Sequence, residues 1–267
     1  MSYFAGLFDA EGYVSVCHKG SFTIAIEMSN EEIPNIFQSE FQGSIYTRKR
    51  DNRKKTWTWK INSICDQAMY FIDSISQFSI VKKPQLLRLR DYLDQSREDR
   101  KYTRAITVTT LKELKHPSPI NKDDIIRIEK PIEPHFFEWL AGFIDGDGNF
   151  VCNQYTYKKS GLKYFDHQIS IANICPEVIC HINDRISGCI TNLNRSKNHL
   201  FKWTCKRRNE QFVCESILPF SKIKKGQCEL FLEFVKFPLK QRYVPFPDEE
   251  LKRRYEIINQ IKHLNSL

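Results

Sequence analysis

The sequence predicts an α+β fold of two pseudo-symmetric αββαββα repeats, and three observations carry that expectation. The phrase Phe4-Ala5-Gly6-Leu7-Phe8-Asp9-Ala10-Glu11-Gly12 returns as Leu140-Ala141-Gly142-Phe143-Ile144-Asp145-Gly146-Asp147-Gly148. Alternating strand pairs and amphipathic helices follow both copies in the same order. Between the halves, the segment from His116 to Pro134 holds Pro117, Pro119, Pro131 and Pro134 and reads as a linker. The expected units are therefore residues 1–115, a linker over 116–134, and residues 135–267.

In the first half, Ser2 is positioned to cap a helix running to about Ala10. Tyr13 to Cys17 and Phe22 to Met28 alternate around Lys19-Gly20-Ser21 and read as a hairpin. Val14, Val16, Ile24 and Ile26 share its core face. Ser29-Asn30-Glu31-Glu32 opens a helix whose stripe is Ile33, Ile36, Phe37 and Phe41, and Gly43 ends it. A second hairpin pairs Ser44 to Arg50 with Thr56 to Asn62. Its tip is strongly basic, with Arg48, Lys49, Arg50, Arg53, Lys54 and Lys55. Helices are expected over about 64–78, from Pro84 to about Leu93, and over about 104–115.

The second half repeats the series. Pro134 suits the first turn of its motif helix. Hairpins follow at 149–156 with 164–173, and at 189–195 with 200–206. Helices run from Pro176 to about Ile186, over 209–218, to about Phe237, and over 248–264. Phe220-Ser221-Lys222-Ile223-Lys224-Lys225-Gly226-Gln227 repeats Phe78-Ser79-Ile80-Val81-Lys82-Lys83-Pro84-Gln85.

Composition narrows the function classes. The 267 residues are 41% hydrophobic and carry net charge +9, which favours a polyanionic partner without requiring one. The nine cysteines lack paired-ligand spacing, which argues against a zinc site and for buried thiols in a reducing compartment. Residues 1–12 carry two acids and no basic start, so no secretory leader is expected, and no apolar run is long enough for a membrane span.

The repeated phrase points to chemistry. Small residues four apart, Gly6 with Ala10 and Gly142 with Gly146, let two helices approach closely. The closing glycines are expected to take a left-handed helix end. Glu11 and Asp147 stand at the negative ends of those helices, a local cost of about 0.3–1 kcal/mol each. Two such acids side by side imply a cation between them. Oxygen donors beside a phosphate favour magnesium over zinc. A pseudo-two-fold, basic, strand-lined surface with paired acids at its centre suits a double-strand nuclease acting on DNA.

Both phrases strongly resemble the LAGLIDADG motif, and the whole chain is similar to single-chain LAGLIDADG homing endonucleases. That resemblance implies a saddle of antiparallel strands with the two motif helices at the interface, in a monomer. It implies site-specific cleavage of both strands of a long, loosely palindromic DNA target, with Mg2+ as cofactor, Mn2+ substituting, and Ca2+ binding without fast cleavage. It names Glu11 and Asp147 as metal ligands, assisted by the backbone carbonyls of Ala10 and Gly146. Asp9 and Asp145 are then structural at the helix interface, with Gly6 and Gly142. Lys82 and Lys224, with Gln85 and Gln227, match the basic and polar residues placed near each scissile phosphate.

Strand alternation nominates the DNA-reading face. In the first half it comprises Ser15, Cys17, Lys19, Thr23, Ala25, Glu27, Tyr46, Arg48, Arg50, Thr58 and Lys60. In the second it comprises Val151, Asn153, Tyr155, Gln168, Ser170, Asn192, Asn194, Lys202, Thr204 and Lys206. Met28 and Asn173 occupy matching positions at the end of the second strand of each half, and Met28 is the poorer group for ordering water. The alternatives to a nuclease are an RNA-splicing maturase, with intron RNA as a partner, and a DNA-binding relative without activity. The expected setting is an organelle that encodes the gene, mitochondrion or chloroplast, or else a bacterial or phage cytoplasm, and not secretion.

Overall fold

A computed structural model describes residues 1–49, 54–63, 65–115, 127–158, 160–193, 200–205, 207–238 and 245–266. Most of the linker expected over 116–134, and Arg50, Arg53, Asn194 and Lys206 among the nominated basic and DNA-reading residues, lie outside them.

The first half runs α1 (Ser2–Glu11), β1 (Gly12–Val16), β2 (Phe22–Met28), α2 (Glu32–Phe41), β3 (Ser44–Arg48), β4 (Thr56–Ile61), α3 (Cys65–Ile75), α4 (Lys83–Leu93) and α5 (Arg97–Glu113). The second runs α6 (Phe136–Asp147), β5 (Gly148–Thr156), β6 (Lys163–Asn173), α7 (Pro176–Arg185), β7 (Gly188–Leu193), β8 (Leu200–Cys205), α8 (Arg207–Ile217), α9 (Lys225–Lys236) and α10 (Asp248–Ser266). Each half builds one antiparallel sheet, in the orders β1-β2-β4-β3 and β5-β6-β8-β7. The second strands of the two hairpins pair at the middle of each sheet, so one face is continuous across four strands.

The other face is core. Val14, Ile24, Ile26 and Trp59 are buried in the first sheet, as are Phe150, Ile169, Ile171 and Trp203 in the second. Helices α2 to α5 and α7 to α10 cover these faces with stripes such as Ile33, Phe37 and Phe41, or Val178, Ile179 and Ile182.

Four local expectations are corrected. Helix α5 starts at Arg97 rather than near residue 104, because the Ser96 hydroxyl accepts from the Asp99 amide and caps it. Met1, not Ser2, is the N-cap of α1, and Pro134 lies just before the His135 cap of α6. Gly12 and Gly148 are extended (φ −75° and −79°), not left-handed. A Cβ on Gly12 would lie 2.4 Å from the Phe8 carbonyl oxygen, and one on Gly148 would lie 2.6 Å from that of Ile144. Room at the helix–strand junction, not a left-handed turn, is what those glycines provide.

Candidate active site

The site is built where α1 and α6 touch. A Cβ on Gly6 would stand 1.9 Å from the Trp139 carbonyl oxygen, and one on Gly142 would stand 2.0 Å from that of Tyr3. The crossing is therefore a backbone-on-backbone contact that only glycine permits at both points. Near the helix ends, a Cβ on Gly146 would lie 2.4 Å from Ala10 Cβ and 3.1 Å from Glu11 Cγ. That proximity brings Glu11 of one half against the last turn of the other, whose final residue is Asp147.

Two buried carboxylates lock this arrangement. Asp9 accepts from Ser79 Oγ (2.5 Å), the amides of Ile80 (2.7 Å) and Lys82 (2.8 Å), and Trp139 Nε1 (3.0 Å). Asp145 accepts from Ser221 Oγ (2.6 Å), the amides of Lys222 (2.7 Å), Ile223 (3.0 Å) and Lys224 (2.9 Å), and Tyr3 Oη (2.8 Å). Each acid thus fastens the loop of its own half that carries Lys82 or Lys224. Each also takes one bond across the interface, from Trp139 or from Tyr3. Burial pushes the Asp9 carboxyl up, and its four donors oppose that shift.

Glu11 and Asp147 are both half-buried, and their pKa values are raised. For Glu11 the main cause is desolvation, then the Asp147 charge, while Lys224 and Lys82 pull it back. For Asp147 it is desolvation, opposed by a hydrogen bond from Asn173 Nδ2 (2.7 Å) and by the same two lysines. Two desolvated acids that repel each other favour a bound cation, and their donors are hard oxygens suited to magnesium or calcium. Among the described residues no cluster of three His, Cys, Asp or Glu side chains could hold a metal, so these two carboxylates must be completed by backbone oxygen, water or phosphate.

The lysines are not equivalent. Lys224 Nζ donates to the carbonyls of Ile144 (2.9 Å), Gly146 (2.7 Å) and Gly148 (2.7 Å), capping α6. The Gly146 carbonyl expected to assist a metal is therefore taken by an ammonium here. Lys82 Nζ makes no hydrogen bond among the described residues. Lys82 lines a cleft of about 1090 Å³ with Asp9, Ala10, Asp147, Asn173, Lys115 and Cys175. Burial lowers the pKa of both lysines, and the nearby carboxylates raise it back. Gln85 lines the same cleft but donates to the Leu114 carbonyl (3.2 Å). Gln227 is buried, and among the described residues no hydrogen bond joins it to Glu11 or Asp147. Met28 packs against the core at the place corresponding to Asn173.

Strand register places the reading face. Residues paired across an antiparallel ladder share a face. Ser15 pairs with Thr23, Glu27 with Thr58, Tyr46 with Thr58, and Arg48 with Thr56. Cys17 follows that face and Lys19 lies in the turn. Lys60 Nζ stands 4.4 Å from the Tyr46 ring centroid, and Thr56 Oγ1 donates to Glu27 Oε1 (3.0 Å). Val151 pairs with Gln168, and Asn153 with Asp166; Tyr155 shares their face, as Thr204 and Lys202 share that of Ser170 and Ala172.

Three nominated readers are corrected. Ala25 is 0% exposed and Ser170 5%, so both lie on the correct face beneath longer neighbours. Asn192 pairs with buried Phe201, which puts it on the core side. Cys189 and Thr191, paired with Thr204 and Lys202, face outward instead. Tyr3, Trp139, Ser79 and Ser221 were not singled out as functional. Their signal was present, since Tyr3 and Trp139 both stand six residues before the motif Asp, and both serines follow a Phe in the repeated lysine segment.

Comparison with known proteins bears on the family and the fold. Residues 140–222 match the family described as LAGLIDADG endonuclease. No curated protein matches the sequence. The chain superposes on I-SmaMI bound to an uncleaved DNA target in the presence of calcium ions, with TM-score 0.69 and 16% identity, covering 99% of this chain and 97% of that one. It superposes on the I-LtrWI LAGLIDADG homing endonuclease bound to target DNA with TM-score 0.69 and 16% identity, covering 97% and 96%. For the LAGLIDADG meganuclease I-AabMI bound to uncleaved DNA the values are 0.66, 12%, 98% and 96%. At these identities the likeness is one of fold, and it spans both halves.

Proposed function

We propose that this chain, whose residues 140–222 match the LAGLIDADG endonuclease family, is a LAGLIDADG enzyme and a divalent-metal-dependent, site-specific DNA endonuclease that cuts both strands of a long target as a monomer. The observation that carries this reading is the meeting of Glu11 and Asp147 at the ends of two glycine-packed helices. The DNA complexes of I-SmaMI and I-LtrWI support duplex DNA as the substrate.

Glu11 and Asp147, with the Ala10 carbonyl beside them, are the residues that would hold the metal. Bound there, a divalent ion would lower the pKa of a water and stabilise charge on the attacking and leaving oxygens. Mg2+ fits hard oxygen donors that leave room for water and phosphate. Asn173 fixes the rotamer of Asp147. Lys82, free at its ammonium, is placed to contact a phosphate entering the cleft. Asp9 and Asp145 hold the two lysine loops in register with the acids. The outward residues of both sheets contact bases and backbone, and the halves differ at nearly every such position, which implies a target of weak two-fold symmetry.

The test is selection of cleaved sites from a randomised duplex library, followed by assay of the selected duplex with and without magnesium. The E11Q/D147N double variant should bind that duplex and lose cleavage by ~10³-fold or more, because metal charge stabilisation is worth several kcal/mol. A wild-type chain that binds a selected duplex tightly but never cuts it with magnesium or manganese would overturn the nuclease reading in favour of a binding-only role.

A further inference from the structure

A second concentration of positive charge lies outside the reading face. At the turn of the β1–β2 hairpin a cleft of about 330 Å³ is lined by Lys19, Tyr92, Arg97, Arg100, Lys101 and Arg104, with Gly20 at its wall. The turn is fastened there: Tyr92 Oη donates to the Gly20 carbonyl (3.4 Å), and a Cβ on Gly20 would lie 3.7 Å from Arg104 Cδ. Of the five cations, only Lys101 has an acid partner among the described residues, Glu98 at 2.8 Å. Arg100 Nε is buried without an acceptor, and Arg100 Nη1 reaches only Cys65 Sγ at 3.9 Å. Asp99, the other acid of the first turn, is turned to Ser96.

The energetics disfavour this arrangement in isolation. Like charges around one small cleft repel. Three of them stand on the first two turns of the 17-residue helix α5, where the macrodipole is already positive. The last helix of the other half provides a contrast. There Arg253 pairs with Glu233 (2.7 Å) and Glu256 (3.2 Å), and Arg254 with Glu250 (2.8 Å). In the last helix of each repeat, one half pairs its arginines with acids, and the other, among the described residues, leaves Arg97, Arg100 and Arg104 without an acid partner.

We infer that this cleft binds backbone phosphate of duplex DNA lying beyond the recognised site, on the side of the N-terminal half. The inference rests on the DNA-binding reading given above. Its link to DNA is Lys19, which extends from the same hairpin that presents Ser15, Cys17 and Thr23 on the reading face. A duplex leaving the saddle past that hairpin meets the cleft next. No base reading is involved, so the contribution is independent of flanking sequence and dependent on salt.

The test compares three duplexes carrying the same selected target: one ending flush with it, one extended by about ten base pairs on the N-terminal side, and one extended equally on the other side. Wild-type protein should bind the N-terminally extended duplex about tenfold more tightly than the flush one. The slope of log affinity against log salt should steepen by about two, since each neutralised phosphate contributes roughly 0.9. The opposite extension should add less. R97A/R104A should lose the gain while binding the flush duplex as wild type does. Phosphate ethylation interference on wild type should mark backbone positions outside the target on that side only, a readout that needs no variant. Equal affinity for flush and extended duplexes, or an R97A/R104A variant that keeps the gain, overturns the inference while leaving the DNA-binding reading intact. The same holds if the double variant loses affinity for the host intron RNA alone. Failure of wild type to bind the flush duplex overturns that reading, and this inference with it.

Discussion

The two halves of the molecule carry the same loop to the same place and use it differently. The first half's Lys82, whose ammonium makes no hydrogen bond among the described residues, lines an open cleft beside Asp147 of the second half, whose carboxylate is held by Asn173. The second half's Lys224 is instead bound to the carbonyls of Ile144, Gly146 and Gly148, and Glu11 of the first half has no side-chain hydrogen bond among the described residues, with Met28 where the second half has Asn173. What is common to both is what the interface needs: a motif Asp, a Ser, and a donor reaching across from the opposite helix. What differs is what only the chemistry needs. A duplicated scaffold therefore keeps its joints symmetric while the surroundings of its two acids drift apart.

The strongest way to break that comparison is to exchange the residues that orient the acids. N173M should slow nicking of one strand by about 10–100-fold, the usual effect of losing a group that orients a metal ligand. The other strand should be nearly unaffected. M28N should speed the slower strand. Strand-specific nicking of an end-labelled duplex reads both outcomes. Equal slowing of both strands by N173M would show that the two acids act as one unit, and that the asymmetry described here has no kinetic meaning.

The lysines sharpen the same point through stability. K224M removes the donor to the carbonyls of Ile144, Gly146 and Gly148. After the relief of desolvating a buried ammonium, a net loss of about 1–2 kcal/mol is expected, a fall in Tm of roughly 2–8 °C for a chain of this size. K82M removes a partly buried ammonium that no hydrogen bond among the described residues compensates, so its Tm should hold or rise. Thermal melts in the absence of metal and DNA test this, and equal falls would mean that Lys224 is not a helix cap in solution.

Much of this was readable in the sequence because duplication doubles every signal. The motif, the hairpins and the repeated Phe-Ser-x-x-Lys segment each occur twice, and chance agreement falls accordingly. What failed was local. Alternation taken in the wrong phase puts Asn192 outward, whereas Ile190, two residues earlier, pairs with buried Trp203 and sets the phase of β7. Ile190 and Leu193 fall on opposite faces of this six-residue strand, so period alone does not fix its phase. The left-handed reading of Gly12 and Gly148 failed for another reason. Their need for glycine comes from the side chains and carbonyls of Phe8 and Ile144 one turn earlier, a steric fact that motif statistics do not distinguish from a turn. The bonds from Tyr3 to Asp145 and from Trp139 to Asp9 span more than a hundred residues, and only the assembled helix pair reveals them.

The smallest expected effect concerns the acids themselves, and it follows from their shared burial rather than their difference. Glu11 and Asp147 have folded-state pKa values above their ordinary ones, chiefly through desolvation. The folded state therefore binds more protons than the unfolded chain in the range between the two values. Stability contributed by these groups is present below the ordinary carboxylate range and is lost as pH rises through the folded pKa values. Above the ordinary carboxylate range and without metal, both acids therefore oppose folding. E11Q and D147N should each raise Tm by roughly 2–4 °C, the scale of about 1 kcal/mol, and should flatten the fall of stability with pH. E11Q should gain more, because Asp147 keeps the Asn173 hydrogen bond that favours its charged form and Glu11 has no counterpart. Melts in a chelator across pH 4 to 8 decide it. If neither variant gains stability, the acids are already neutralised by their lysines, and repulsion between them is not what prepares the site for a cation.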